Sequence, residues 1–178
     1  ADTPISFYGA TKRSNELIAH SYNHLYSLPS TGLRFFTVYG PWMRPDMALF
    51  IFTQKIISGN PIDVYGQGKI KRNFTFIDDI IQGIVLSLDR PKPSAIYNIG
   101  NDHTVDLEKY IDVLEKHLGK KAIRNYLPSQ PGDMLGNWAD IELIKKDCGY
   151  QPTTNIEAGI KKFVEWYTEY YAQRGNLA

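Results

Sequence analysis

Apolar residues recur along this chain with two alternating periods, one of three to four residues and one of two, and the alternation predicts a mixed α/β fold. In residues 7–28, Leu17, Ile18, Tyr22, Leu25 and Leu28 fall at helical spacing, behind Pro4 and Ser6 and ahead of Pro29. A long amphipathic helix is expected there. Residues 32–39 are aromatic and aliphatic and close on Gly40-Pro41, so they read as one buried strand. A helix over 48–58, short strands at 62–65 and 73–77, and a helix opening at Asp78 follow. A strand at 95–99, a helix at 105–118, a strand at 122–127 and helices at 140–147 and 156–171 complete the pattern. Asp78 is expected to cap its helix and Asp79 to sit in the first turn, roles that require no catalysis. On the last helix Phe163, Val164, Trp166, Tyr167, Tyr170 and Tyr171 form an aromatic stripe, which suits a core better than a partner surface. No repeat, linker or low-complexity stretch interrupts the series, so one continuous globule is expected.

Composition changes this picture by exclusion. The 178 residues suit one domain, or one plus part of another. A formal net charge of +1 lacks the basic excess of a nucleic-acid binder. No apolar run approaches the roughly 18 residues that span a bilayer, and residues 1–6 lack the features of a signal peptide. No membrane and a cytoplasmic setting are therefore expected. Cys148 is the single cysteine; it has no disulfide partner within the chain and is expected to be a buried, inert thiol. His20 and His24 share a helix face at metal spacing, but no third ligand is evident and Glu16 does not complete a zincin motif, so no metal is expected.

Tyr8 and Lys12 are the first candidates for chemistry, because a spacing of four puts phenol and ammonium on one helix face. Tyr65 and Lys69 repeat the spacing, but Gly66 and Gly68 between them predict a turn that does not align side chains. Spacing by itself also fits two ordinary surface residues of an amphipathic helix.

The segment SFYGATKRSNE (6–16) resembles the catalytic helix of the extended short-chain dehydrogenases, the NAD-dependent epimerase/dehydratase family. LRFFTVYGPWMRPDMALF (33–50), PIDVYGQGKIKRNFTFIDD (61–79), IYNIGN (96–101) and QPGDM (130–134) recur in the same order in UDP-glucuronate 4-epimerases. The resemblance implies the carboxyl-terminal part of a Rossmann-like doubly wound sheet plus a smaller α/β substrate-binding domain. Residues 1–45 would end the NAD-binding domain and 46–178 would mainly bind substrate, with a strand near 95–99 returning to the main sheet. It implies NAD as cofactor, Tyr8 and Lys12 as catalytic pair, Lys12 on the nicotinamide ribose and Phe36 beside the nicotinamide. For a UDP-sugar it implies Tyr65 against uracil, Arg72 on the diphosphate and Asp133 on ribose hydroxyls. Thr37, Arg44 and Gln130 would face the hexose, where UDP-galactose 4-epimerases usually carry Asn and Arg in place of Thr37 and Gln130. A homodimer through the first helix is implied as well. The family's Gly-rich pyrophosphate turn and catalytic Ser or Thr would lie upstream of Ala1, so this chain alone is expected to be inactive and to leave an apolar helix face uncovered.

Inverting an unactivated carbinol carbon requires breaking its C–H bond, and oxidation to a ketone is the accessible route. A tyrosine base near neutral pH must lose about three of its roughly ten pKa units, and one cation within about 4 to 6 Å supplies 1 to 3. Lys12 together with an oxidised nicotinamide could supply the whole shift. A ketone at C4 and a carboxylate at C6 form a β-keto acid, so decarboxylation is the competing outcome. UDP-glucuronate decarboxylases tend to read Tyr-x-x-Gly-Lys, whereas here Thr11 precedes Lys12. A non-catalytic nucleotide-sugar binding module is the alternative from a different class.

Overall fold

The computed structural model describes residues 2–129 and 136–172. The first helix, α1 (Phe7–Tyr26), starts where the Ser6 hydroxyl accepts a hydrogen bond from the Gly9 amide at 3.0 Å. It stops at Ser27, which adopts φ 51 ahead of Pro29.

The expected strand at 32–39 is two strands. β1 (Ser30–Phe35) runs parallel to β6 (Ser94–Ile99), with Ser30 opposite Ser94 and Phe35 opposite Ile99. At Phe36 the partner changes: the Phe36 amide still donates to the Ile99 carbonyl, but the Thr37 amide donates to Asn73. β2 (Thr37–Tyr39) then pairs in parallel with β5 (Phe74–Phe76). A hydrophobic run records that a segment is buried, not which neighbour it bonds, so the break is invisible in the pattern.

Between these pairs lie α2 (Ala48–Ile57), β3 (Ile62–Tyr65) parallel to β8 (Arg124–Leu127), and β4 (Lys71–Arg72) antiparallel to β7 (Val105–Asp106). The remaining helices are α3 (Ile77–Asp89), α4 (Leu107–Leu118), α5 (Glu142–Cys148) and α6 (Ile156–Ala172). The mixed α/β class stands, with the three parallel pairs joined through helices.

Two cores result. One gathers Ile80, Tyr97, Ile99, Ile144 and Cys148 from α3, β6 and α5, together with Tyr150 just after α5, and Leu33 of β1 packs on it. The other joins β2, β3, β5, α2, α4 and α6 around Tyr39, Leu49, Phe74, Tyr110 and Phe163. Phe163, Val164 and Tyr167 of the aromatic stripe are buried as expected. The cysteine is buried too.

Asp78 is not the cap. The cap position of α3 is Phe76, without a side-chain bond, and Asp78 and Asp79 both lie in the first turn. Tertiary contacts override the cap preference: Asp78 meets Lys162 at 3.2 Å, and buried Asp79 accepts from the amides of Thr153 and Thr154, each at 3.0 Å.

α1 leaves its apolar face uncovered, as expected for this chain. Its apolar positions are periodic, yet none of its residues is buried, and Leu17, Ile18, Tyr22 and Leu25 are all more than half exposed. Among the described residues β1 pairs with β6 alone, leaving its other edge open.

Tyr39 ties α6 to β2, its hydroxyl seated over Gly159 with no hydrogen-bond partner among the described residues. A β-carbon at Gly159 would fall 2.0 Å from that oxygen. Gly159→Ala should lower unfolding stability by about 1 to 3 kcal/mol, read by urea denaturation. Adding Tyr39→Phe should recover part of the loss, and equal stability of Gly159→Ala and the parent chain is the contrary result.

Candidate active site

The turn after β2 is what opens a site. Gly40 takes φ 146, and a β-carbon there would sit 2.7 Å from Ile77 Cγ2, so the chain passes close under α3 only because this residue has no side chain. The Met43 amide closes a four-residue turn on the Gly40 carbonyl at 3.3 Å, with Pro41 second and Trp42 third at φ 63. That third position ordinarily takes glycine. Trp42 holds it by packing on α6, its ring centroid 5.3 Å from that of Trp166 and 4.9 Å from that of Tyr170.

A cavity of about 710 Å³ lies inside this turn, and its lining includes Tyr8, Phe36, Thr37, Trp42, Arg44 and Asn137. Four of the residues singled out in the sequence, Tyr8, Phe36, Thr37 and Arg44, therefore meet at one place. Tyr8 stands in the first turn of α1, exposed, and the ammonium of Lys12 lies over its ring at 5.2 Å from the centroid. Lys12 lines an adjoining hollow of about 540 Å³ together with Tyr8, Glu16, Arg34 and Phe35. Tyr8 thus forms the ridge between the two spaces. Arg44 points to the rim and pairs with Asp46 at 3.0 Å.

Tyr65 and Arg72 do not line the cavity. Tyr65 ends β3 at the Gly66–Gly68 turn, where Gln67 takes φ 54, so Lys69 does not align with it. Arg72 is half-buried on β4. Its neighbours nevertheless build the cavity wall: the Asn73 carbonyl holds the Thr37 amide at 3.1 Å, and the Lys71 carbonyl accepts from the Asn137 amide at 3.4 Å. Asn73 itself is fully buried and satisfied, its Oδ1 accepting from the Asn101 amide and Thr75, its Nδ2 donating to the carbonyls of Asn101 and His103. Gln130 and Asp133 lie outside the described residues. Among the described residues no three His, Cys, Asp or Glu side chains are grouped to hold a metal ion, and no helix is long and apolar enough to cross a membrane.

Sequence reasoning missed Trp42, Asn137 and the arginine pair around Glu16. Arg34 Nε and Nη2 reach the two Glu16 oxygens at 2.6 and 2.7 Å, and Arg13 Nη1 adds 2.8 Å. The Arg34 hydrogen bonds, followed by those from Arg13, hold the Glu16 carboxyl down to about 2. The available signal was a lone cation set between Leu33 and Phe35 in a segment read as a buried strand.

Residues 1–100 match the NAD dependent epimerase/dehydratase family. The chain is 46% identical to protein CapI of Staphylococcus aureus over 188 residues, covering 96% of this chain and 56% of that protein. It is 43% identical to a probable UDP-glucuronate 4-epimerase of Rhizobium meliloti, over 96% of this chain and 56% of the relative. Among solved structures, UDP-glucuronic acid 4-epimerase from Bacillus cereus in complex with UDP-glucuronic acid and NAD superposes with a TM-score of 0.89 at 36% identity, over 95% of this chain and 55% of that one. The chain thus spans a little over half the length of these proteins.

Glu16 pins α1 to β1, and the pH dependence follows from its ionisation. Its folded pKa lies below the ordinary 4.5, so the stabilisation is complete above about pH 4.5 and is lost as pH falls toward 2. Glu16→Gln should cost about 1 to 2 kcal/mol at pH 7. The difference from the parent chain should shrink over that acid window when denaturation midpoints are measured against pH, and a gap that stays constant down to pH 2 contradicts the assignment.

Proposed function

Because the chain belongs to the NAD dependent epimerase/dehydratase family, we propose that the full-length protein interconverts UDP-glucuronate and UDP-galacturonate by oxidising and re-reducing C4, using NAD. The observation that carries this reading is the convergence of Tyr8, with Lys12 over its ring, and Thr37 and Arg44 around one cavity. The residues present suit a nicotinamide: an apolar wall at Phe36, and an ammonium uncovered by any ion pair among the described residues in the hollow behind Tyr8. When bound, NAD would supply the hydride acceptor for C4 and return the hydride to it.

Tyr8 takes the proton of the C4 hydroxyl as the ketone forms and gives it back on re-reduction. The Lys12 ammonium, over the ring, is placed to offset negative charge that develops on the phenol during this transfer. Thr37 and Arg44 hold the C6 carboxylate, a hydroxyl and a guanidinium being natural donors to it. They keep it out of the alignment with the C4 ketone that would release carbon dioxide. To bind, Arg44 exchanges Asp46 for the substrate. Gln130 faces the hexose with Thr37 and Arg44, while Tyr65, Arg72 and Asp133 receive the UDP moiety, Arg72 through its guanidinium to the diphosphate. In this reading residues 1–45 close the cofactor side and 46–178 chiefly hold the substrate, with β6 returning to the sheet of β1. The exposed apolar positions of α1 support a homodimer through that helix, since a stripe of this kind on a surface helix invites a partner.

Incubating the full-length protein with NAD and UDP-glucuronate should yield UDP-galacturonate by NMR, while the 178-residue chain yields none. Tyr8→Phe should lower kcat by about 10² to 10⁴, and Thr37→Ala should raise the UDP-pentose by-product. Undiminished turnover by Tyr8→Phe, or UDP-pentose as the main product of the parent enzyme, refutes the reading.

A further inference from the structure

α1 carries a lysine and a glutamate four residues apart, Lys12 and Glu16, and on an α-helix that spacing makes the two side chains neighbours. An ion pair between them would neutralise the ammonium on which Tyr8 depends. Glu16 is disposed otherwise: Arg34 occupies both of its oxygens at 2.6 and 2.7 Å, and Arg13 shares one at 2.8 Å. Lys12 lies over the Tyr8 ring, and among the described residues no carboxylate stands at ion-pair distance from it. The remaining charges facing the pair are matched elsewhere. Arg13 also meets Asp2 at 2.7 Å, Arg44 meets Asp46, and Tyr39, a residue of the cavity lining, is buried in the second core with its pKa raised, chiefly by burial. Arg34 thus stands out as a cation within the β1 strand whose hydrogen bonds all go to the one acid of α1 placed to capture Lys12.

We propose that Arg34 is a positioning residue for the reaction: by holding Glu16 it keeps the Lys12 ammonium uncommitted and available to the Tyr8 phenolate. The proposal rests on the epimerase reading above. Losing Arg34 releases a carboxylate oxygen one helical turn from Lys12, and a carboxylate beside that ammonium favours the protonated phenol.

In the full-length, NAD-loaded protein, Arg34→Gln should move the acid limb of the kcat–pH profile upward by about half to one pH unit. At pH 7 that corresponds to a roughly three- to tenfold loss of kcat, with KM changed by less than about twofold. Arg34→Gln/Glu16→Gln should return the limb to its original position or below it, although that protein is the less stable one. A merely structural arginine requires the opposite, a double variant no better than the single one and a limb that moves in neither, and that result overturns the proposal. A second measurement is independent of turnover. The ¹³Cζ NMR titration of Tyr8, assigned by its loss in Tyr8→Phe, should shift upward in Arg34→Gln and return in the double variant. That pattern in a protein that does not epimerise refutes the functional reading and leaves the role of Arg34 standing; an unmoved Tyr8 titration in an active enzyme refutes the role alone.

Discussion

The change of partner between Phe35 and Thr37 is the constraint from which the rest of the molecule follows. One extended segment bonds β6 up to Phe36 and β5 from Thr37 onward. Where a strand exchanges one neighbour for another a crevice can open at its end, and the cavity lies there. The buried Asn73 node holds the exchange in place, since one side chain bonds both Thr75 of β5 and the segment after β6. Removing a partner from such a network strands several buried polar groups at once. Phe36 and Thr37 line the cavity because they are the residues of the switch.

The sequence carried the order and type of the elements well, because each helix and strand has its own hydrophobic period. Boundaries moved where something beyond the period decided them. α1 ends two residues early because Ser27 turns left-handed before Pro29. α3 begins a residue early because Asp78 and Asp79 are engaged by Lys162 and the 153–154 backbone rather than by their own helix end. The site was legible by resemblance more than by spacing. Tyr8 and Lys12 form a pair that composition alone yields about once, and what raises it above Tyr65 and Lys69 is a helix in one case and a glycine turn in the other. Trp42 and Asn137 were not legible, since neither carries a pattern of its own and their neighbours are revealed only in three dimensions.

The position of the proposed base rests on charge and capping rather than on burial. A typical surface helix is held by an apolar stripe against a core, but the stripe of α1 meets solvent over most of its length. What fastens the helix to β1 is Glu16 between its arginines, at less than one-fifth exposure of the acid side chain. What shapes its first turn is Ser6. Bidentate geometry suits that purpose, because a guanidinium fork fixes direction as well as distance whereas apolar contact fixes neither. The same fork therefore serves two ends: it aims the first turn of α1 at the strand switch, and it removes from play the carboxylate placed to quench the lysine. Burial could have achieved the first. A charge of the opposite sign achieves the second, which gives a physical reason for a cation at Arg34 between Leu33 and Phe35.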